Sequence, residues 1–229
     1  MKAYIVINFK AYPTSYGVKA LEIAEAAEEV AKKYGGVRII LAVPATEIRA
    51  LASAFKVDIF AQHADPVPLG ARTGHIPPEI IADTGAKGYL INHSEKRLRL
   101  DQINYLVRKG RELGLETIVC ADTPETSAAA AALKPDAIAV EPPELIGTGI
   151  AVSKAKPEII TGTVEAVRRV NKEVVILTGA GISNPEDVEA AIRLGTAGVL
   201  VASAVMKAED PKAKIGDMAQ AAVRALKAS

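Results

Sequence analysis

Cysteine is nearly absent from this chain: Cys120 is the only one among 229 residues. An internal disulfide is therefore impossible, and a reducing compartment is expected. Charge of one sign is also lacking. Lysine and arginine number 28 against 27 acids, a formal net charge of +1. With no basic run interleaved with aromatics, nucleic acid is excluded as the main partner. No apolar run approaches the roughly 20 residues that span a bilayer. Near the N-terminus Asn8, Lys10 and Pro13 interrupt the first apolar run, so it lacks the h-region of a signal peptide. The expectation is a soluble, cytoplasmic protein with neither nucleic-acid nor membrane partners. Metal ligands are sparse as well. His63 and His75 have no third ligand at suitable spacing, so no metal is expected, and the two read as surface or interface residues. A Gly-x-Ser-x-Gly nucleophile elbow is missing. Cys120 reads as a small apolar packing residue rather than a nucleophile.

What is present is a regular alternation. Nearly half the residues are apolar (49%), enough for a sizeable core. Short β-branched runs begin at Ala3, Val37, Asp58, Gly88, Glu116, Asp136, Val174 and Gly198. Most are continuously apolar rather than alternating, as strands buried on both faces must be. Between them lie Ala/Glu/Lys-rich segments with helical spacing. After Gly17, Ile23, Ala27, Val30 and Tyr34 share one face, with Glu22, Glu25, Glu29 and Lys32 opposite. Glu28 with Lys32 and Glu29 with Lys33 are spaced for ion pairs, and Gly35-Gly36 ends the pattern. Asn184-Pro185-Glu186-Asp187 supplies an N-cap, a proline at the first helical position and acids in the first turn of another helix. Eight such units with short connections and no linker predict a single (β/α)8 barrel domain over residues 1–229; an open doubly wound sheet is the alternative. Residues 62–78 form the one long irregular stretch, expected to protrude as a loop.

In such barrels chemistry sits at the C-terminal ends of the strands. Those ends carry Asn8-Phe9-Lys10, Asn92-His93-Ser94-Glu95, Glu141, Thr178-Gly179-Ala180-Gly181 and Ala202-Ser203. A cation, an imidazole and a carboxylate thus face one mouth, with small residues on one side of it. Glycines, Ala202 and Ser203 let backbone N–H groups approach an anion such as phosphate, or else serve only tight turns. The dinucleotide fingerprint fails, because Asn184 stands where its third glycine belongs. His93 precedes what reads as a helix start, whose positive end would keep the imidazole neutral; a satisfied core histidine is the other reading. Glu141 is followed by Pro142-Pro143 and, after Ile146, by Gly147 and Gly149, a loop with a stiff and a flexible end that suits a lid.

Together these motifs resemble the triosephosphate isomerase family. Asn8-Phe9-Lys10 resembles its Asn-aromatic-Lys motif. His93-Ser94-Glu95-Lys96-Arg97 resembles its His-Ser-Glu-basic-Arg signature. Glu141-Pro142 through Ile146-Gly147-Thr148-Gly149 resembles its catalytic glutamate and lid, and Gly179 to Ile182 with Val201 to Ser203 its two phosphate loops. The likeness extends in order from Asn8 to Ser203. The chain departs from the family's pattern at Asn92 (usually glycine), at Gly181 (usually serine), at Ala202-Ser203 (usually a glycine pair) and in its lack of tryptophan. Its brevity resembles that of a short archaeal branch, which assembles as tetramers built from dimers.

The resemblance implies a TIM barrel that interconverts dihydroxyacetone phosphate and D-glyceraldehyde 3-phosphate in glycolysis and gluconeogenesis. It implies Glu141 as the base, His93 as a neutral proton donor and Lys10 as the cation. Asn8, Phe9, Ile146, Gly147, Gly181, Ala202 and Ser203 would bind substrate, with Glu95 in support. Glu144 would travel with the lid. Gln62 and Ala71-Arg72-Thr73-Gly74 resemble the family's dimer loop, in which Thr73 would reach a neighbouring subunit's site. No metal or organic cofactor is implied. Other readings are a different phosphate-binding barrel isomerase and a non-catalytic sugar-phosphate sensor.

Overall fold

The computed structural model describes residues 2–145 and 157–228. Its strands are β1 (Ala3–Asn8), β2 (Val37–Val43), β3 (Asp58–Ala61), β4 (Gly88–Ile91), β5 (Glu116–Ala121), β6 (Ala137–Val140), β7 (Val175–Thr178) and β8 (Gly198–Val201). Each pairs in parallel with its sequence neighbour. β8 returns to β1 in the register Tyr4↔Gly198 to Ile7↔Val201, which closes the barrel and rules out the open sheet. Asp136 and Val174, expected to open strands, precede them instead; Asp136 accepts bonds from the Thr117 N–H (2.8 Å) and hydroxyl (3.1 Å).

The continuous apolar runs follow from burial on two faces. Val6, Ile40, Ala42, Phe60, Leu90, Ile118, Cys120, Ala137, Ala139, Leu177 and Leu200 pack together as the barrel interior. Their strand neighbours, among them Ile5, Ile7, Ile39, Leu41, Tyr89, Ile91, Ile138 and Ile176, pack outward against the helices. Each fully buried Ile or Leu contributes roughly 1.5–3 kcal/mol, so neither face is dispensable.

The helices are α1 (Gly17–Lys33), α2 (Ile48–Ala54), α3 (Pro78–Asp83), α4 (Leu100–Leu113), α5 (Pro124–Ala132), α6 (Pro157–Val170), α7 (Pro185–Arg193), α8 (Ser203–Met206) and α9 (Pro211–Ala228). α1 buries Ile23, Ala27 and Val30 as its spacing requires. Glu28 pairs with Lys32, but Glu29 pairs with Lys212 of α9 rather than with Lys33. A local spacing rule does not see a neighbouring helix. At the start of α7, Asp187 accepts the N–H groups of both Ser183 and Asn184 at 2.9 Å, satisfying donors that the first helical turn leaves open.

At the N-terminal end of the barrel Arg38 bridges Asp58 (2.7 Å) and Glu116 (2.8 and 2.7 Å). This fork of charge-assisted bonds ties β2, β3 and β5 together. The long stretch after β3 is held by Asp65, which accepts the Ile76 N–H (2.7 Å) and lies 3.1 Å from His63. His63 is therefore a half-buried prop and not a bare surface residue, whereas Thr73 and His75 are exposed. Among the described residues no helix is long and apolar enough to cross a membrane.

Candidate active site

Side-chain alternation carries β6 directly into the mouth. Ala137 and Ala139 face the barrel interior, so Glu141, two residues on, points the same way. Its N–H extends the ladder to Ala121 (2.7 Å), and its side chain is buried. One carboxyl oxygen accepts the Ser94 N–H at 3.3 Å, and the other lies 3.3 Å from Nε2 of His93. The Cys120 thiol, buried beside it, also favours the charged form. Burial nonetheless dominates, lifting the carboxyl from 4.5 to about 7 against the pull of these bonds and of Lys10 and Arg97.

His93 reaches this position by breaking its strand's register. Tyr89 and Ile91 face outward, so a regular strand would turn His93 toward the helices. Asn92, at φ 62, swings the chain so that the ring enters the mouth instead. The next residues form a turn, not a helix; α4 starts only at Leu100. The expected helix end is thus not what keeps this imidazole neutral. Burial comes first, then the Lys10 cation, and together they depress the ring to about 4. Its tautomer follows from one bond: Nδ1 accepts the Glu95 N–H (3.2 Å), which leaves the proton on Nε2, facing Glu141.

Lys10 adopts φ 47, an uncommon value for a residue with a side chain. Asn8 holds it there by accepting the Lys10 N–H (3.0 Å), while Gln62 donates to the Lys10 carbonyl (2.9 Å). Its Nζ contacts Glu95 at 2.9 Å.

Opposite lie the small residues. Lys10, His93, Ser94 and Glu141 share an open cleft with Gly179, Gly181, Ala202 and Ser203. Gly179 has a specific steric reason: a Cβ there would meet Glu141 Cγ at 2.7 Å. Gly181 has φ 70, which a glycine adopts without strain. α8 begins at Ser203, directly after β8.

The sequence model described as "Triosephosphate isomerase" matches residues 3–222. The chain belongs to the triosephosphate isomerase family. A protein of that name from Caldivirga maquilingensis is 54% identical over 94% of this chain and 96% of its own length. One from Saccharolobus solfataricus is 50% identical over 97% of each. One from Methanocaldococcus jannaschii is 51% identical over 93% of this chain and 97% of its own length.

Not every residue singled out from the sequence meets the cleft. Phe9 is fully buried in the outer core, and Asn8 acts on the Lys10 backbone; neither lines the cleft. Glu95 contacts Lys10 and lies on the rim. Ile146 and Gly147, with the rest of the glycine end of the lid, lie outside the described residues; the stiff end forms a tight turn, Pro143–Leu145, that brings Leu145 into the cleft. Ile182, the end of the first phosphate loop, lines it as well, and so do Tyr12 and Ser183, to which no motif pointed. For Tyr12 the available signal was an aromatic two residues beyond a strand-end lysine. Asn92 stood out only as a departure from a glycine.

Proposed function

We propose that this protein is a triose-phosphate isomerase that interconverts dihydroxyacetone phosphate and D-glyceraldehyde 3-phosphate through an enediol(ate). The observation that carries this reading is the pairing of a buried carboxylate raised to about 7 with an imidazole held neutral 3.3 Å away. A base whose proton affinity matches neutral pH abstracts a weakly acidic proton efficiently without staying protonated. Glu141 removes the proton next to the carbonyl and returns it to the adjacent carbon. Nε2–H of His93 donates to the carbonyl oxygen and moves protons between the two oxygens. This is the division of labour generally ascribed to the family.

Lys10 stabilises charge on the enediolate and phosphate, with Glu95 holding its ammonium in place. Backbone N–H groups near Gly181, Ala202 and Ser203 hold the phosphate, and the lid residues Ile146 and Gly147 complete that cradle. Asn8 orients Lys10; Phe9 serves as packing beneath it. Lid closure would exclude water and protect the intermediate from loss of phosphate.

The same reading includes a place in glycolysis and gluconeogenesis in the cytoplasm. It also includes assembly as a tetramer built from dimers, with exposed Thr73 on the protruding loop reaching a neighbour's cleft. Turnover of D-glyceraldehyde 3-phosphate in a coupled assay tests the activity: a folded protein that binds phosphate but gives no turnover would leave a sensor instead. Sedimentation equilibrium of the purified protein tests the assembly; a monomer would exclude it.

A further inference from the structure

Asn92 makes two side-chain bonds that the isomerase reading leaves unexplained. Its Oδ1 accepts the Leu98 N–H at 2.8 Å, and its Nδ2 donates to the Cys120 carbonyl at 2.9 Å. The first bond closes residues 92–98 into a ring. Inside that ring the His93 carbonyl accepts the Lys96 N–H (2.8 Å) and the His93 Nδ1 accepts the Glu95 N–H (3.2 Å). The second bond fastens the ring to β5 at Cys120, next to Ala121, whose carbonyl accepts the Glu141 N–H. A single amide therefore spans from the loop that aims the imidazole to the strand that backs the carboxylate.

The backbone conformation does not account for the amide. At φ 62 glycine would serve with no steric cost, and asparagine tolerates the region better than most residues. Glycine, however, would supply neither bond. Asn92 itself does not line the cleft, so any effect on chemistry must pass through the residues its ring holds, of which His93 reaches furthest toward the reacting groups while Ser94 and Glu95 touch Glu141 and Lys10.

We propose that Asn92 is a positioning residue whose side-chain amide holds the His93 ring in line with Glu141. The proposal rests on the isomerase reading above. Holding a donor and a base in one geometry matters because a misplacement near 1 Å can cost about a hundredfold in rate. The phosphate side of the cleft, built from β7 and β8, is reached by neither bond and should not sense the change.

The test is Asn92→Gly, which keeps the backbone conformation and deletes both bonds. Three quantities are read: kcat and KM for D-glyceraldehyde 3-phosphate, the inhibition constant of inorganic phosphate, and the ring 15N resonances of His93. The expected result is a kcat lowered by about tenfold to a hundredfold, consistent with a displaced ring. KM and the phosphate constant should stay within about twofold, since uniform binding is untouched. The His93 resonances should shift. A kcat within about twofold of the parent would overturn the proposal, because the backbone turn alone would then suffice. A parallel loss of phosphate binding would also overturn it, marking a general loosening of the mouth. Should Asn92→Gly fail to fold, Asn92→Asp keeps the Leu98 acceptor, loses the donor to Cys120 and sets a carboxylate oxygen against that carbonyl; an unchanged kcat there is equally fatal. If the parent protein itself does not turn over the substrate, the isomerase reading fails. The His93 resonances then still decide the positioning role: no shift in Asn92→Gly rejects it.

Discussion

Replacing Glu141 by glutamine should stabilise the protein at alkaline pH and leave it nearly unchanged in acid. Burial raises the Glu141 carboxyl from 4.5 to about 7. Between those values the folded protein keeps a proton that the unfolded chain has released, so stability falls as pH rises through the window. The gap corresponds to roughly 3 kcal/mol, fully expressed above pH 7 and absent below 4.5. Glutamine has nearly the same shape, carries no charge and can still accept the Ser94 N–H; its NH2 then faces Nε2 of His93, a pH-independent change, so the part of the difference that varies with pH reports the carboxyl. His93 produces an opposite slope. Its folded value near 4 lies below the ordinary 6.5, so its contribution is present above 6.5 and lost as pH falls toward 4. In the parent the two slopes oppose each other across the shared interval. Comparing parent with Glu141→Gln isolates the carboxyl, because His93 is common to both. Urea unfolding followed by circular dichroism at pH 5 and pH 8 is the assay. The expected gap favours the variant by roughly 3 kcal/mol at pH 8 and by less than about 1 kcal/mol at pH 5. A gap that does not change with pH would refute the claim that Glu141 is a carboxylate held in the folded protein against its preference.

Two further outcomes follow from the geometry of the cleft. Gly179→Ala places a Cβ 2.7 Å from Glu141 Cγ and 3.1 Å from the Val140 carbonyl; displacing the carboxylate should lower kcat by about a hundredfold with the barrel intact by circular dichroism, and near-parent turnover would contradict the packing argument. Lys10→Ala removes the cation that contacts Glu95 and faces the cleft; kcat/KM should fall by about a hundredfold to a thousandfold, the equivalent of losing about 3–4 kcal/mol of preorganised stabilisation, and a loss under about tenfold would remove Lys10 from the site.

The barrel was legible because its strands bury both faces, which writes each one as an unbroken apolar run such as Val174-Val175-Ile176-Leu177. Closure itself was not written locally. It depends on Tyr4 to Ile7 meeting Gly198 to Val201 across almost the whole chain. The inward aim of Glu141 could be read by extending the two-residue period of Ala137 and Ala139, since nothing interrupts it. His93 could not be aimed that way, because the left-handed turn at Asn92 breaks the period. The cause of its neutrality was misread for a related reason. Ser94-Glu95 resembles a helix start by residue type, yet the Asn92–Leu98 bond closes a turn there and delays α4 to Leu100. Phe9 shares a motif with Lys10 but packs into the outer core and not the cleft. Contacts such as Glu29 with Lys212 join residues far apart in sequence, and a local spacing rule finds Lys33 instead.

The central claim is that Glu141 carries a proton between neighbouring carbons of a triose phosphate. Isomerisation of D-glyceraldehyde 3-phosphate in D2O, followed by proton NMR, tests it most directly. The parent should form dihydroxyacetone phosphate with deuterium entering next to the carbonyl, and Glu141→Gln should lose both conversion and labelling by orders of magnitude. Equal conversion by Glu141→Gln, or deuterium entering anywhere but the carbon that receives the proton, would contradict the account; product that keeps the substrate's own hydrogen would not, since Glu141 can return the proton it removed.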